Sequence, residues 1–193
     1  MIPSRLHRRL FRPFGRDASG ATALEFALIG PPLVLMLCGV VELGLMQGAQ
    51  AVLDNSVFAA SRVGKTGFKE AGKTQADAVS AAIKTAASKY LDPAKIQVTS
   101  KAYTDYSDIG QPEPFTDTNK NGKRDAGESF TDTNGNGSYD VDRGKGGLGG
   151  ATQIVVYTAT YNWPISTPFI GKLIGKDGAR ALKSEIAVRN EPY

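Results

Sequence analysis

The chain has 193 residues, with 23 Lys and Arg against 19 Asp and Glu, and only one cysteine, one histidine and one tryptophan. A single Cys38 excludes an internal disulfide, and a single histidine, His7 near the N-terminus, excludes Ser-His-Asp, Cys-His and histidine-based zinc chemistry elsewhere. An enzyme is therefore not expected.

The net charge of +4 is local. Residues 1–20 carry Arg5, Arg8, Arg9, Arg12 and Arg16 against Asp17, so the rest of the chain balances to zero. A basic stretch of that kind suggests nucleic acid until its neighbour is considered. Here it precedes an apolar segment, where Lys/Arg bias keeps the flanking end in the cytoplasm. Nucleic acid is not an expected partner.

From Phe26 to Val41 no charge occurs, and apolar residues continue through Leu43, Leu45 and Met46. A cleaved secretory signal has a shorter core and a small-residue cleavage site, which is missing here. Glu25 and Glu42 lie about 25 Å apart along a helix, slightly less than a hydrocarbon core, so both carboxylates fall near the interfaces. Pro31-Pro32 removes two backbone donors and predicts a bend. The expectation is one marginal span, with residues 1–20 cytoplasmic and the chain beyond about residue 50 outside.

Gly20-Ala-Thr-Ala-Leu-Glu25-Phe26 resembles the prepilin-peptidase site of type IV and tight-adherence (Tad/Flp) pilins, which are cut after a glycine that stands five residues before a glutamate. The longer stretch, Gly20 to Leu37 and on through Glu42-Leu-Gly to Arg62, resembles TadE-like pseudopilins, and Ser184 to Tyr193 is similar more weakly. Phe26 departs from the tyrosine those pilins typically carry. The resemblance implies a minor pilin or pseudopilin of the inner membrane, cut between Gly20 and Ala21. Its implied partners are other pilins of the same system and the prepilin peptidase, and no small-molecule substrate is implied. Cleavage would leave an α-amino group on Ala21 just over one helical turn from Glu25. A carboxylate near lipid is costly, and pairing with a neighbouring subunit's amine would offset that cost and set a filament's register. Uncleaved, Glu25 simply reaches the headgroups.

Beyond the anchor, Val52, Leu53, Val57 and Ala60 keep helical spacing, so the first helix is predicted over 21–63, stopped by Gly64 and Gly67. Thr74-Gln-Ala-Asp77 reads as a capping box. It opens a second helix with Val79, Ile83, Ala86 and Tyr90 on one face and Pro93 at its end. Strands are predicted at Ile96 to Tyr103, Gln153 to Trp163 and Ala181 to Arg189, the second being central because it is rich in β-branched and aromatic residues. The expected fold is α+β: residues 64–193 form an exported, pilin-like domain in which the second helix packs on a small antiparallel sheet. Trp163 is expected to pack at the core or its rim.

Residues 105–150 look inserted. Between 105 and 142 there are nine acids against Lys120, Lys123 and Arg124, a local net of −6, and Phe115-Thr-Asp-Thr-Asn recurs fifteen residues later from Phe130. Each copy opens an Asp-x-Asn-x-Asn-Gly loop, in which alternate positions turn oxygen ligands toward one point and glycine permits the bend. The first loop offers Asp117, Asn119, Asn121, the Lys123 carbonyl, Asp125 and Glu128, similar to the calcium loops of EF-hands and dockerin-like repeats. The second offers Asp132, Asn134, Asn136, Ser138 and Asp140. Its twelfth place holds Arg143, so Asp142 or another carboxylate has to be borrowed. Helices of an EF-hand are absent around both loops. The expected cofactor is Ca2+, one or two ions; the alternative is a solvated acidic turn. Lys145 to Gly150 reads as a flexible return linker. Two functions remain open: a processed pseudopilin that primes or caps a filament, or an uncleaved, membrane-anchored calcium-dependent adhesin or binding module.

Overall fold

A computed structural model describes residues 20–65, 72 and 74–192. The basic leader and Gly67 lie outside the described residues. The chain divides into two compact units, Met1–Gly44 and Leu45–Tyr193.

The first unit, over its described residues, is the apolar part of α1, a 45-residue helix spanning Ala21–Lys65. Its most apolar 18-residue window has a mean hydropathy of 2.1 and is only 6% buried. Leu24, Phe26, Leu28, Ile29, Met36 and Val40 all point outward into solvent-exposed positions. Apolar all round and uncovered, this helix has the length and composition of a membrane anchor. Pro31 and Pro32 stand inside it. They leave the carbonyls of Ala27 and Leu28 without their helical donors, yet the helix continues through both. Glu25 is exposed, whereas Glu42 is buried.

The second unit is α+β. It opens with the end of α1, from Leu45, where Ala49, Leu53, Val57 and Ala60 form a buried stripe at helical spacing. The second unit thus includes the last turns of α1, from Leu45 onward. α1 ends at Lys65, between the two glycines expected to stop it, and Gly64 also serves packing, since a methyl group there would collide with the Tyr157 ring.

The capping box forms as the sequence predicts. Thr74 accepts the Asp77 N–H at 3.2 Å, and the Asp77 carboxylate accepts the Thr74 N–H at 2.9 Å. They open α2, Gln75–Ala87, which buries Val79, Ile83 and Ala87. Ala87 takes the place expected of Ala86, since four-residue spacing from Ile83 follows the helix face more closely. The helix ends there, and Pro93 instead begins a short 3₁₀ turn capped by Asp92.

Four antiparallel strands follow, β1 (Gln97–Tyr103), β2 (Lys145–Gly146), β3 (Ile154–Pro164) and β4 (Ala179–Arg189), in the order β2-β1-β3-β4. A seven-residue helix, α3 (Pro168–Ile174), absent from the sequence expectations, interrupts the β3–β4 hairpin. β3 is internal, paired with β1 from Gln97↔Thr160 to Tyr103↔Ile154 and with β4 from Ile154↔Arg189 to Pro164↔Ala179. Val155, Tyr157, Ala159 and Tyr161 alternate along one face of β3 and join Leu53, Val57, Val79, Ile83, Leu182 and Val188 in a single core. The return linker is also tied down. Lys145–Gly146 pairs with β1, and the buried Asn190 amide donates to the carbonyls of Leu148 and Gly150 at 2.9 and 3.0 Å.

Candidate functional site

The insertion leaves the sheet at Tyr103 and returns at Lys145, where β1 and β2 are neighbours. Its first loop runs from Asp117 to Glu128. Asp117 accepts the N–H of Asn121 at 3.1 Å and of Gly122 at 2.8 Å. Asn119 accepts the Asn121 N–H, and Asn121 accepts the Lys123 N–H. The amides of Asn119 and Asn121 then both donate to Asp125 Oδ2, at 2.6 and 2.8 Å. Alternate side chains thus turn to one centre, and Gly122, at φ +75°, makes the bend that a Cβ would oppose. Glu128 closes the loop: Oε1 accepts the Thr118 N–H at 2.8 Å and Oε2 the Asp125 N–H at 2.9 Å.

The second loop repeats this pattern. Asp132 accepts from Gly135, Asn136 and Gly137. The N–H groups of Asn136 and Ser138 are taken by Asn134 and Asn136, whose amides meet on Asp140 Oδ2 at 2.7 and 2.6 Å. Its closing carboxylate arrives from upstream. Glu113 Oε1 accepts the Thr133 N–H at 2.7 Å and Oε2 the Asp140 N–H at 3.1 Å. Thr133 and Asp140 hold the second and ninth places of their loop, as Thr118 and Asp125 do in the first. Glu113 therefore stands toward the second loop as Glu128 stands toward the first. It is 0% exposed, the one buried side chain between residues 105 and 143.

Sequence reasoning missed Glu113, although the repeat carries its signal. Glu113-Pro-Phe-Thr-Asp-Thr-Asn119 matches Glu128-Ser-Phe-Thr-Asp-Thr-Asn134, which extends the Phe-Thr-Asp-Thr-Asn repeat by two residues. Each glutamate heads one copy and closes the loop of the other. Asp142, the expected lender, is held elsewhere: Lys101 Nζ donates to it at 2.7 Å, Tyr103 Oη at 2.9 Å and the Gly144 N–H at 3.2 Å. Arg143 also has a purpose. Its guanidinium grips the Pro112 carbonyl at 2.7 and 3.0 Å and Asp108 at 3.0 Å, which fixes the segment that delivers Glu113.

Between the loops, Phe115 and Phe130 pair as an antiparallel bridge, with Thr116 N–H to the Ser129 carbonyl at 2.9 Å and Thr131 N–H to Pro114 at 2.8 Å. Tyr139 meets both rings edge-on, at 5.9 and 5.7 Å. The Arg124 guanidinium lies 4.9 Å from Phe130 and 5.0 Å from Tyr139. Arg124 and Tyr139 are the eighth residues of their loops, so the two halves meet through equivalent positions.

The electrostatics follow from these bonds. The Gly137 N–H, aided by those of Gly135 and Asn136, lowers the Asp132 carboxyl below the ordinary range despite some desolvation. Partial burial pushes Asp142 up, but Lys101, the Gly144 N–H and Tyr103 together outweigh it and bring it down. Burial, then the bond to Asp142, raises the Tyr103 phenol.

Among the described residues, no three His, Cys, Asp or Glu side chains gather closely enough to hold a metal ion by themselves. Each loop carries asparagine and main-chain oxygens beside two aspartates and one glutamate, without drawing the three carboxylates into one cluster. That donor set is all oxygen, the hard type suited to calcium or magnesium and unsuited to zinc. An asparagine or carboxylate oxygen that accepts one N–H keeps a second lone pair for a cation.

The other site expected from sequence is the start of α1. Gly20 stands at its threshold with open space around its Cα among the described residues, Ala21 is the first helical residue, and Glu25 follows one turn later, exposed. No curated protein and no solved structure matches the chain. Residues 20–62, which are Gly20 and α1 as far as Arg62, match the family model for TadE-like protein.

Proposed function

We propose that the protein is a minor pilin or pseudopilin of a bacterial tight-adherence pilus, anchored in the inner membrane with its N-terminus cytoplasmic. The prepilin peptidase cuts it after Gly20, and it then joins other pilins through α1 to prime or cap the filament. The observation that carries this reading is α1 itself. One uninterrupted helix starts at the expected scissile bond, presents an uncovered apolar surface, and coincides with the family match. The freed amine of Ala21 and the Glu25 carboxylate then form the pairing unit between subunits. No catalytic step belongs to this role.

Mass spectrometry of membrane fractions tests it: the mature chain begins at Ala21, and Gly20→Arg leaves only the full-length chain. Recovery of an intact N-terminus from the unaltered protein, with the peptidase present, overturns the processed-pilin reading. It leaves the anchored calcium-dependent binding module, whose support is the paired loops.

Calcium is the second part of the proposal. One ion sits in each loop. Asp117, Asn119, Asn121, the Lys123 carbonyl, Asp125 and Glu128 hold the first. Asp132, Asn134, Asn136, the Ser138 carbonyl, Asp140 and Glu113 hold the second. The support is the repetition of one hydrogen-bond pattern in both loops, including the exchanged glutamates. Outside the cytoplasm even a weak site, with Kd around 10⁻⁴–10⁻³ M, is filled. The ions neutralise the stretch 105–142, whose own charge is −6, and hold the insertion rigid on the exported domain.

A further inference from the structure

The end of the β3–β4 hairpin carries exposed apolar and basic groups that neither the core nor the loops use. In α3, Phe169 is 60% and Leu173 74% exposed. Four residues apart, they share one face of the helix, while Ile170 and Gly171 turn inward. Lys172, Lys176 and Arg180 surround them, all exposed, against one acid, Asp177.

The position of this end within the second unit is fixed by hydrogen bonds. The Gln50 amide donates to the Lys183 carbonyl at 3.0 Å, and the Glu191 N–H donates to the Lys65 carbonyl at 3.3 Å. β4 and α1 therefore run in the same direction, and the β3–β4 tip lies at the Leu45 end, where the chain enters the domain from its apolar segment. Tyr90 marks the same end. Its hydroxyl donates to the Leu45 carbonyl at 3.3 Å, and its ring stacks on Trp163 with centroids 6.2 Å apart. Trp163 is half-buried and pairs in register with Arg180.

We propose that this tip rests on an anionic lipid surface, with Phe169 and Leu173 entering the headgroup boundary, Tyr90 and Trp163 at headgroup level, and Lys172, Lys176 and Arg180 facing lipid phosphates. Tyr and Trp, with apolar bodies and polar tips, favour that depth. Flanking cations add attraction to anionic lipid. The inference rests on the reading of α1 as a span, because the span's exit at Leu45 brings the tip to the membrane. Contact with lipid holds the domain at a set height before it enters a filament.

Trp163 and Cys38 are each the sole residue of their type, so one preparation reports both contacts. The full chain is reconstituted in nanodiscs of phosphatidylcholine with phosphatidylglycerol, with or without acyl-chain-brominated lipid, and Cys38 is labelled with a fluorophore. Bromine is expected to lower Trp163 emission on the order of twofold, as for an aromatic at the interface. Phe169→Ser with Leu173→Ser removes the quenching while the circular dichroism melt of the domain is unchanged. Lys172→Glu with Lys176→Glu removes its dependence on phosphatidylglycerol. If Cys38 reports lipid but Trp163 is not quenched, the proposal fails and the span stands. If neither is quenched, the span fails too. Quenching that the serine variant retains, or Trp163 shielding that appears only at high protein-to-lipid ratio and cross-links one copy to another, also overturns it.

Discussion

The two ends of the second unit are held by different physics. Around α1, α2 and β3, Leu53, Val57, Ile83, Val155 and Tyr157 are buried side by side with almost no water contact, so the hydrophobic effect carries that half. At the Tyr103 end, residues 105–143 bury one side chain, a glutamate, and are tied by Asp, Asn and Glu oxygens bonded to backbone N–H groups. Hydrogen bonds that replace water contribute little net stability each. An acidic segment without a core therefore needs a counter-charge, whereas the helix and sheet need none.

The largest effect should come from the apolar half. Ile83→Ala deletes buried methylenes between α2 and β3 and should cost about 2–5 kcal/mol. The melting temperature of the full chain in detergent should fall by roughly 5–15 °C, equally in calcium and in chelator. A loss that calcium rescues would mean the two halves do not stand independently.

Removing calcium is the converse operation. Chelator should speed amide exchange at Gly122, Asn136 and Gly137 by about 100-fold if free ion had stood 100-fold above Kd. The amides of β3 should keep their protection. Equal acceleration in both regions would merge them into one cooperative unit, and no change in the loops would sink the calcium proposal.

The exchanged glutamates sharpen the comparison within the insertion. Glu113→Gln should remove the second ion and Glu128→Gln the first, each weakening its own site by about tenfold or more through loss of a charged ligand. Asp142→Asn should leave both, because Lys101 and Tyr103 already hold that carboxylate. Calorimetric stoichiometry separates the three variants. Two ions retained in Glu113→Gln would return the second loop to a borrowed carboxylate elsewhere.

Much of the first half was legible because local patterns and tertiary needs agree there. Thr74 and Asp77 cap α2 by a contact three residues long, and the β-branched run of β3 takes the internal place. The packing of Gly64 against Tyr157 was not legible, because the two lie far apart along the chain, where spacing says nothing. α3 escaped notice for a related reason: seven residues with two exposed apolar side chains show no inward stripe. In the insertion, the spacing of Asp, Asn and Gly revealed each loop, since those contacts span six residues or fewer. Glu113 reaches Thr133 across twenty, so only the symmetry of the repeat could have exposed it.

The smallest effect tests the seam between the two regions, where Lys101 and Tyr103 at the end of β1 hold Asp142. Tyr103→Phe removes one donor and should cost about 1 kcal/mol. Its pH dependence has a definite sign. The phenol is raised in the folded protein, so the unfolded chain loses that proton first. The stability involved is present below about pH 10, the ordinary tyrosine value, and is lost as pH rises above it. Asp142 and Asp132 are lowered, so the folded protein binds fewer protons near their ordinary value. Their share is present above about pH 4 and lost as pH falls below it. Tyr103→Phe should therefore flatten the alkaline limb of a melting profile and leave most of the acid limb, which Asp132 still carries. An acid limb that disappears with Tyr103 would place all of that sensitivity in the seam and none in the loops.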